Sequence, residues 1–228
     1  MSKKSSNKWP KFRKSVVFQA ILLGTFTLGA TSILSSGDIG TRDAIKLRAE
    51  EDLKATIGQV VPQKVHDNDL LKSIITLDGL DGEPITVYQA TKAGIVTAVA
   101  YSVSGPGYSG EIKTIMGVNQ DGKILGVRIV SHTETPGLGD KIEIAKDKWI
   151  LAFDGLSLGM PPESQWYVKK DGGRFSQFSG ATITPRAVVK AVKSGLDFFE
   201  QQKEKLLTPV VVENTIIKNT VMKEGAAS

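Results

Sequence analysis

A charge-free apolar run near the N-terminus constrains this chain more than any other feature. "SVVFQAILLGTFTLGATSIL", Ser15 to Leu34, contains no ionisable residue, and none occurs between Lys14 and Asp38. Twenty residues at a helical rise of ~1.5 Å cover ~30 Å, the thickness of a bilayer's hydrocarbon core. The stretch reads as a transmembrane helix over residues 15–36. Thr25, Thr27 and Ser32 do not oppose this, because each hydroxyl can bond a carbonyl one turn back in its own helix. A cleaved secretory signal is the alternative. Its apolar stretch would be shorter, ~7–15 residues, with a small-residue cleavage triplet after it. No such A-x-A triplet follows here.

Charge sets the orientation. Of the 29 basic residues, Lys3, Lys4, Lys8, Lys11, Arg13 and Lys14 precede the apolar run, which leaves 23 basic against 24 acidic residues elsewhere. The net charge of +5 therefore belongs to a basic tail, residues 1–14, and not to a binding face for nucleic acid. The positive-inside rule keeps that tail in the cytoplasm and exports the rest. Cysteine is absent, which excludes disulfides, thiolate catalysis and Cys-ligated metal sites. With His66 and His132 the only histidines, a multi-histidine metal centre is excluded as well.

Beyond the span, residues 37–84 read as a helical connector, with Ile45, Leu47, Leu53 and Ile57 set among charges. From Ile85 the β-branched runs "ITVYQA", "AGIVTAVAYSVS", "EIKTIMGV" and "KILGVRIVSH" predict an antiparallel sheet, with "NQDG" as a hairpin turn. "DKIEIAKDKWILAF" has helical spacing, and "WYVKK" reads as a short strand. A helix starts at Pro185 with Thr184 as its N-cap and presents Val188, Val189, Val192, Leu196 and Phe199 on one face. Residues 85–205 thus form one α+β domain: a mainly antiparallel sheet with flanking helices, behind a single membrane helix. Residues 206–228 are a tail that adds a strand or stays loose.

Three motifs carry chemistry. "GPGYSG", Gly105 to Gly110, matches the dinucleotide pattern G-x-G-x-x-G, but a hairpin follows it where a helix is required, so it reads as a turn between strands. In "SHTETPGLGDKIE" the backbone turns tightly and Leu138 is the one bulky group of "TPGLG", as suits a loop approaching a flat ligand. His132 beside Glu134 reads as a solvated pair. In "SGATITPR", Thr182 stands just before the helix. A phosphate on its hydroxyl would meet the positive end of the helix dipole and unpaired N–H groups, with Arg186 as an added cation. On the residues alone, an anion or modification site competes with a plain helix cap.

"SGAT" followed by Ile-Thr resembles the S/T-G-A-T-x-T flavinylation motif. Together, "GYSGEI", "GVNQDGKILGV", "HTETPGLGDKIE", "WYVKKDGG" and "QFSGATITPRAVVKAV" resemble the G subunit of the Rnf (Rsx) ion-translocating electron-transport complex over about residues 15–200. The resemblance implies a flavoprotein that relays electrons through FMN, which a flavin transferase joins covalently by its phosphate to Thr182. Ser179, Gly180, Ala181 and Thr184 would surround the attachment. Glu134, Thr135 and Leu138 would lie against the isoalloxazine, and 85–205 would be an FMN-binding domain. Lys169 is expected to stabilise reduced flavin, with Trp166 or Tyr167 stacking on it; Trp166 reads equally well as core. Partners would be the other complex subunits, the transferase and the membrane. The location would be the bacterial inner membrane, single-pass, with the main domain periplasmic.

The resemblance departs at Ser176, where the transferase pattern usually carries an acid. The related C subunit of the sodium-translocating NADH:quinone reductase is an alternative within the family. A non-redox exported assembly module is the competing class. A threonine-nucleophile hydrolase lacks a nearby base.

Overall fold

The β-branched runs form a five-stranded antiparallel meander in the computed structural model, which describes residues 16–80 and 82–210. The basic tail 1–14 and the tail beyond residue 210 lie outside the described residues. The strands are β1 (Ile74–Asp78), β2 (Pro84–Lys92), β3 (Ile95–Pro106), β4 (Glu111–Asn119) and β5 (Ile124–Ser131), each paired with its neighbour in sequence. Alternation along β3 divides the core. Val99 and Tyr101 point toward α2 (Ile183–Leu207), while Ala98 and Ala100 point to the opposite face. Tyr101 donates its phenol to the Gly195 carbonyl at 2.8 Å and packs edge-on against Phe198. The expected α+β class is observed, and α2 covers one face of the sheet.

The chain divides into two compact units, residues 1–51 and 52–228. Helix α1 (Val16–Val60) supplies all the described part of the first. Its segment Val16–Ser36 is long and apolar enough to cross a membrane and is unburied. The hydroxyls there are satisfied locally: Thr25 bonds the Ile21 carbonyl at 2.8 Å, and Ser32 bonds Leu28 at 2.8 Å. In the second unit, Ile57, Val60 and Val61 pack on the small residues Ala90, Ala98 and Ala100. Gly117 and Gly126 admit the Val60 backbone so closely that a Cβ on Gly126 would stand 3.1 Å from the Val60 Cα.

The expected helical connector, residues 37–84, is helical as far as Val60 and departs from expectation beyond it. The helix ends at Val60, shortly before Pro62, whose ring disfavours helical backbone in the preceding residue. Two 3-10 turns, Gln63–Val65 and Leu70–Lys72, then lead into β1. "DKIEIAKDKWILAF" is also not an α-helix. It forms 3-10 turns at Asp140–Ile142 and Lys148–Phe153, because the Asp147 carboxylate accepts from the Trp149 N–H at 2.8 Å and starts a new turn mid-pattern. "WYVKK" contributes one parallel bridge, Val168 to Phe175, before the 3-10 turn Lys169–Asp171.

Side-chain packing holds this irregular excursion between β5 and α2. Phe153 stacks on Phe175 with ring centroids 4.6 Å apart, and Trp149 meets Phe153 and Phe178 edge-on at 5.4 and 5.2 Å. Trp166 is buried in the same cluster, 5.6 Å from Phe175, and is therefore core. Such rings contribute through area and edge-to-face geometry where no hydrogen-bonded ladder exists.

Candidate functional site

Two tight turns face one another at the N-terminal end of α2. In the first, the Thr135 carbonyl accepts from Leu138 N at 3.2 Å and from Gly139 N at 3.0 Å, around Pro136 and Gly137. Gly137 has φ +77°, so Pro then Gly occupy the two central positions as a type II turn requires. In the second, Ala181 N donates to the Phe178 carbonyl at 3.2 Å around Ser179 and Gly180, and Gly180 has φ +80°. A Cβ on Gly180 would stand 3.5 Å from the Leu138 Cδ2.

A cavity of about 460 Å³ opens where these turns meet, within the ~300–1,000 Å³ of small-ligand sites. Glu134, Thr135, Leu138, Gly180, Ala181, Thr182 and Thr184 all line it. Tyr108 and Ile183 join them, and with Leu138 they leave three large apolar groups exposed at the cavity by 68, 46 and 42 % in that order. Ser179 lines a neighbouring cavity, together with Lys141, Lys148 and Arg174. Lys169 is exposed in its 3-10 turn and lines neither cavity. Tyr108 and Ile183 were not anticipated. The signal for Tyr108 was an aromatic residue at the tip of "GPGYSG", which is the β3–β4 hairpin turn, closed by Gly107 N to the Gly110 carbonyl at 2.7 Å.

The start of α2 differs from expectation in an informative way. The helix begins at Ile183, not Pro185, and Thr182 is its N-cap with φ −72° and ψ −27°. Thr182 makes no side-chain capping bond, and among the described residues no partner holds its hydroxyl. Nor does Thr184 cap: it is fully buried, and its hydroxyl donates to Glu134 Oε2. The first N–H groups of the helix thus lack a side-chain acceptor, the arrangement that leaves an anion-binding end open.

Glu134 faces inward. It is 5 % exposed, and its Oε1 accepts from Ser109 N at 3.0 Å. Its own N–H donates to His132 Nδ1 at 3.1 Å, and His132 Nε2 lies 2.8 Å from Glu143 Oε1. Proton placement follows: Nδ1 accepts, so Nε2 carries the hydrogen donated to Glu143. His132 therefore pairs with Glu143 rather than with the neighbouring Glu134 carboxylate.

Arg186, expected as a spare cation, is occupied. Its Nε and Nη2 each donate to Asp171 at 2.6 Å, tying the 3-10 turn Lys169–Asp171 to the first turn of α2. Hydrogen bonding from Arg186 holds the Asp171 carboxyl below the usual aspartate range. Ser176 is exposed, and its carbonyl accepts from Trp149 Nε1 at 2.7 Å.

Comparison with known proteins identifies the family. Residues 107–197, which contain the "SHTETPGLGDKIE" and "SGATITPR" motifs, match the FMN-binding domain family. The G subunit of the ion-translocating oxidoreductase complex of Cereibacter sphaeroides is 48% identical over 199 residues, 87% of this chain and 91% of that one. The protein of the same name from Shewanella piezotolerans is 42% identical over 201 residues, 86% of this chain and 95% of its own. The crystal structure of Shewanella oneidensis NqrC covers 63% of this chain and 72% of that one, at 22% identity and a TM-score of 0.45. Identity of the level seen with the first two, over 86–87% of this chain and 91–95% of theirs, shows that the chain belongs to the family of G subunits of ion-translocating oxidoreductase complexes, with an FMN-binding domain over residues 107–197.

Proposed function

We propose that this chain is a membrane-anchored flavoprotein subunit that relays electrons within an Rnf-type complex through FMN held covalently on Thr182. The observation that carries the proposal is the unpartnered Thr182 hydroxyl, at the uncapped start of α2 and on the wall of the cavity. The residues present fit the group. The helix end suits a phosphate, and the exposed Tyr108, Leu138 and Ile183 suit a flat apolar ring. FMN, when bound, supplies one- and two-electron chemistry.

Everything else falls to the chain. Attachment would form the Thr182 Oγ1–phosphorus bond and break the phosphoanhydride of an FMN-containing dinucleotide carried by a flavin transferase, releasing the other half as a nucleoside monophosphate. The hydroxyl proton passes to base, and no electron changes hands. Gly180 and Ala181 place no bulk over the hydroxyl, so a large donor can approach. The α2 N–H groups would then hold the phosphate, and the Thr135–Leu138 turn would supply a contact for the ring. Covalent attachment prevents loss of FMN into the periplasm. There the domain is carried by the single apolar helix, with the basic N-terminal tail in the cytoplasm.

Thr182→Val tests the assignment. Coexpressed with a flavin transferase, this variant is expected to fold and to carry no flavin, as read by intact mass. Flavin attached to the variant at the wild-type level would overturn the attachment site.

A further inference from the structure

Glu134 lies in the loop that resemblance sets against the flavin ring, yet its carboxylate turns away from solvent and joins three separate elements. Oε1 receives the Ser109 N–H of the β3–β4 turn at 3.0 Å. Oε2 receives the Thr184 hydroxyl of α2. The residue itself stands one position before the Thr135–Leu138 turn. The surroundings are built around this carboxylate. A Cβ on Gly107 would collide with Oε1, and one on Gly139 would come within 2.9 Å of both the Glu134 Cβ and the Thr184 Oγ1. At 5 % exposure, a carboxylate without both bonds would be costly, so the contacts are mutually enforcing.

We propose that Glu134 is the positioning residue of the site: by engaging Thr184 it withholds that hydroxyl from the helix end and fixes the first turn of α2, so that Thr182 is presented for modification. The geometry separates two roles that "T-I-T" leaves entangled. Thr184, buried, takes the structural bond, and Thr182, two residues earlier, keeps a free hydroxyl. A threonine at a helix start ordinarily folds its oxygen back onto the N2 or N3 N–H. Here Thr182 has helical φ and ψ and makes no such bond, while the carboxylate holds the other threonine away from the helix end. Glu134 acts through Thr184 and the backbone, and no contact between its carboxylate and the flavin is required. The proposal rests on attachment at Thr182.

The test uses the full-length chain with a flavin transferase and varies the pair conservatively. Thr184→Ser and Glu134→Gln each preserve a bonding arrangement, since the amide can accept from Ser109 and donate to a rotated hydroxyl. Both are expected to be flavinylated within about threefold of wild type. Thr184→Val and Glu134→Ala are expected to lower the transferase kcat at least tenfold with the KM for the protein substrate unchanged. A merely unfolded fraction would instead raise the apparent KM. The double variant should lose no more than Glu134→Ala alone, because that change already removes the bond to Thr184 along with the one to Ser109.

Amide exchange on the flavin-free protein reads the same contact without any cofactor. Ser109, Arg186 and Ala187 should exchange faster in Thr184→Val while β3 and β4 stay protected. Thr184→Val flavinylated at the wild-type kcat, or showing unchanged exchange at these amides, overturns the positioning role. Wild-type protein that takes up no flavin overturns the attachment reading instead, and the exchange result then decides the positioning contact alone.

Discussion

Leu138 and Gly180 meet across the mouth of the site, with the Leu138 Cδ2 3.5 Å from the point that a Cβ on Gly180 would occupy. Two turns, 43 residues apart in the chain (Thr135 to Phe178), are thereby closed on each other. The one exposes a leucine, and the other exposes a threonine hydroxyl at the start of a helix.

This contact makes Gly180 sensitive for a backbone reason. At 3.5 Å an added methyl is in ordinary contact, but φ +80° is left-handed and costs a side chain ~1–2 kcal/mol. Gly180→Ala should therefore lower unfolding stability by about 1–2 kcal/mol and slow flavin attachment. Gly180→Asn should lose less, because asparagine tolerates that region. Urea titration of the two variants, with equal losses for both, would locate the cost in side-chain crowding instead.

The Asp171–Arg186 pair gives a pH signature. Its carboxyl titrates below the usual range, principally because Arg186 donates hydrogen bonds to it. A depressed folded-state pKa contributes stability above the unfolded value, ~3.9 for aspartate, and that contribution fades as pH falls through the folded value. The stability difference between wild type and Asp171→Asn should be constant from about pH 8 to 5 and close below about pH 4. The pair is exposed, so the difference will be small. Thermal unfolding across that range checks it; a difference that grows on acidification would contradict the sign.

Tyr108 stands exposed on the cavity rim and has no hydrogen-bonded role in the turn that carries it. If its ring borders the flavin, Tyr108→Ala should raise flavin fluorescence in the loaded protein and leave the attachment stoichiometry unchanged. Its melting temperature should stay within a degree or two of wild type, as for surface changes remote from the core. Fluorescence equal to wild type would remove Tyr108 from the ring contacts.

How much of this could be read from the sequence depended on the range of the interaction. Pro136–Gly137 and Asn119–Gly122 encode their turns locally, and the β-branched runs encode β2 to β5, so those features were legible. The pairing of Glu134 with Thr184 was not. The "T-I-T" spacing offers two equivalent hydroxyls, and only a carboxylate arriving from 50 residues away distinguishes them. For the same reason Arg186 read as a free cation until Asp171 was seen to hold it. The 140–175 segment misled more deeply. Ile142, Ala145, Trp149 and Phe153 have helical spacing, but the rings of Trp149, Phe153, Trp166 and Phe175 satisfy one another in three dimensions while the backbone turns in short 3-10 pieces. Tertiary packing overrode periodicity there.

The central claim is that Thr182 carries the flavin, and intact mass with peptide mapping tests it most directly. The full-length chain would be expressed with and without a flavin transferase. The expected result is a gain equal to one FMN minus one water, appearing only with the transferase and confined to the peptide containing Thr182. An active transferase that leaves the mass unchanged, or a gain that maps to another residue, would contradict it.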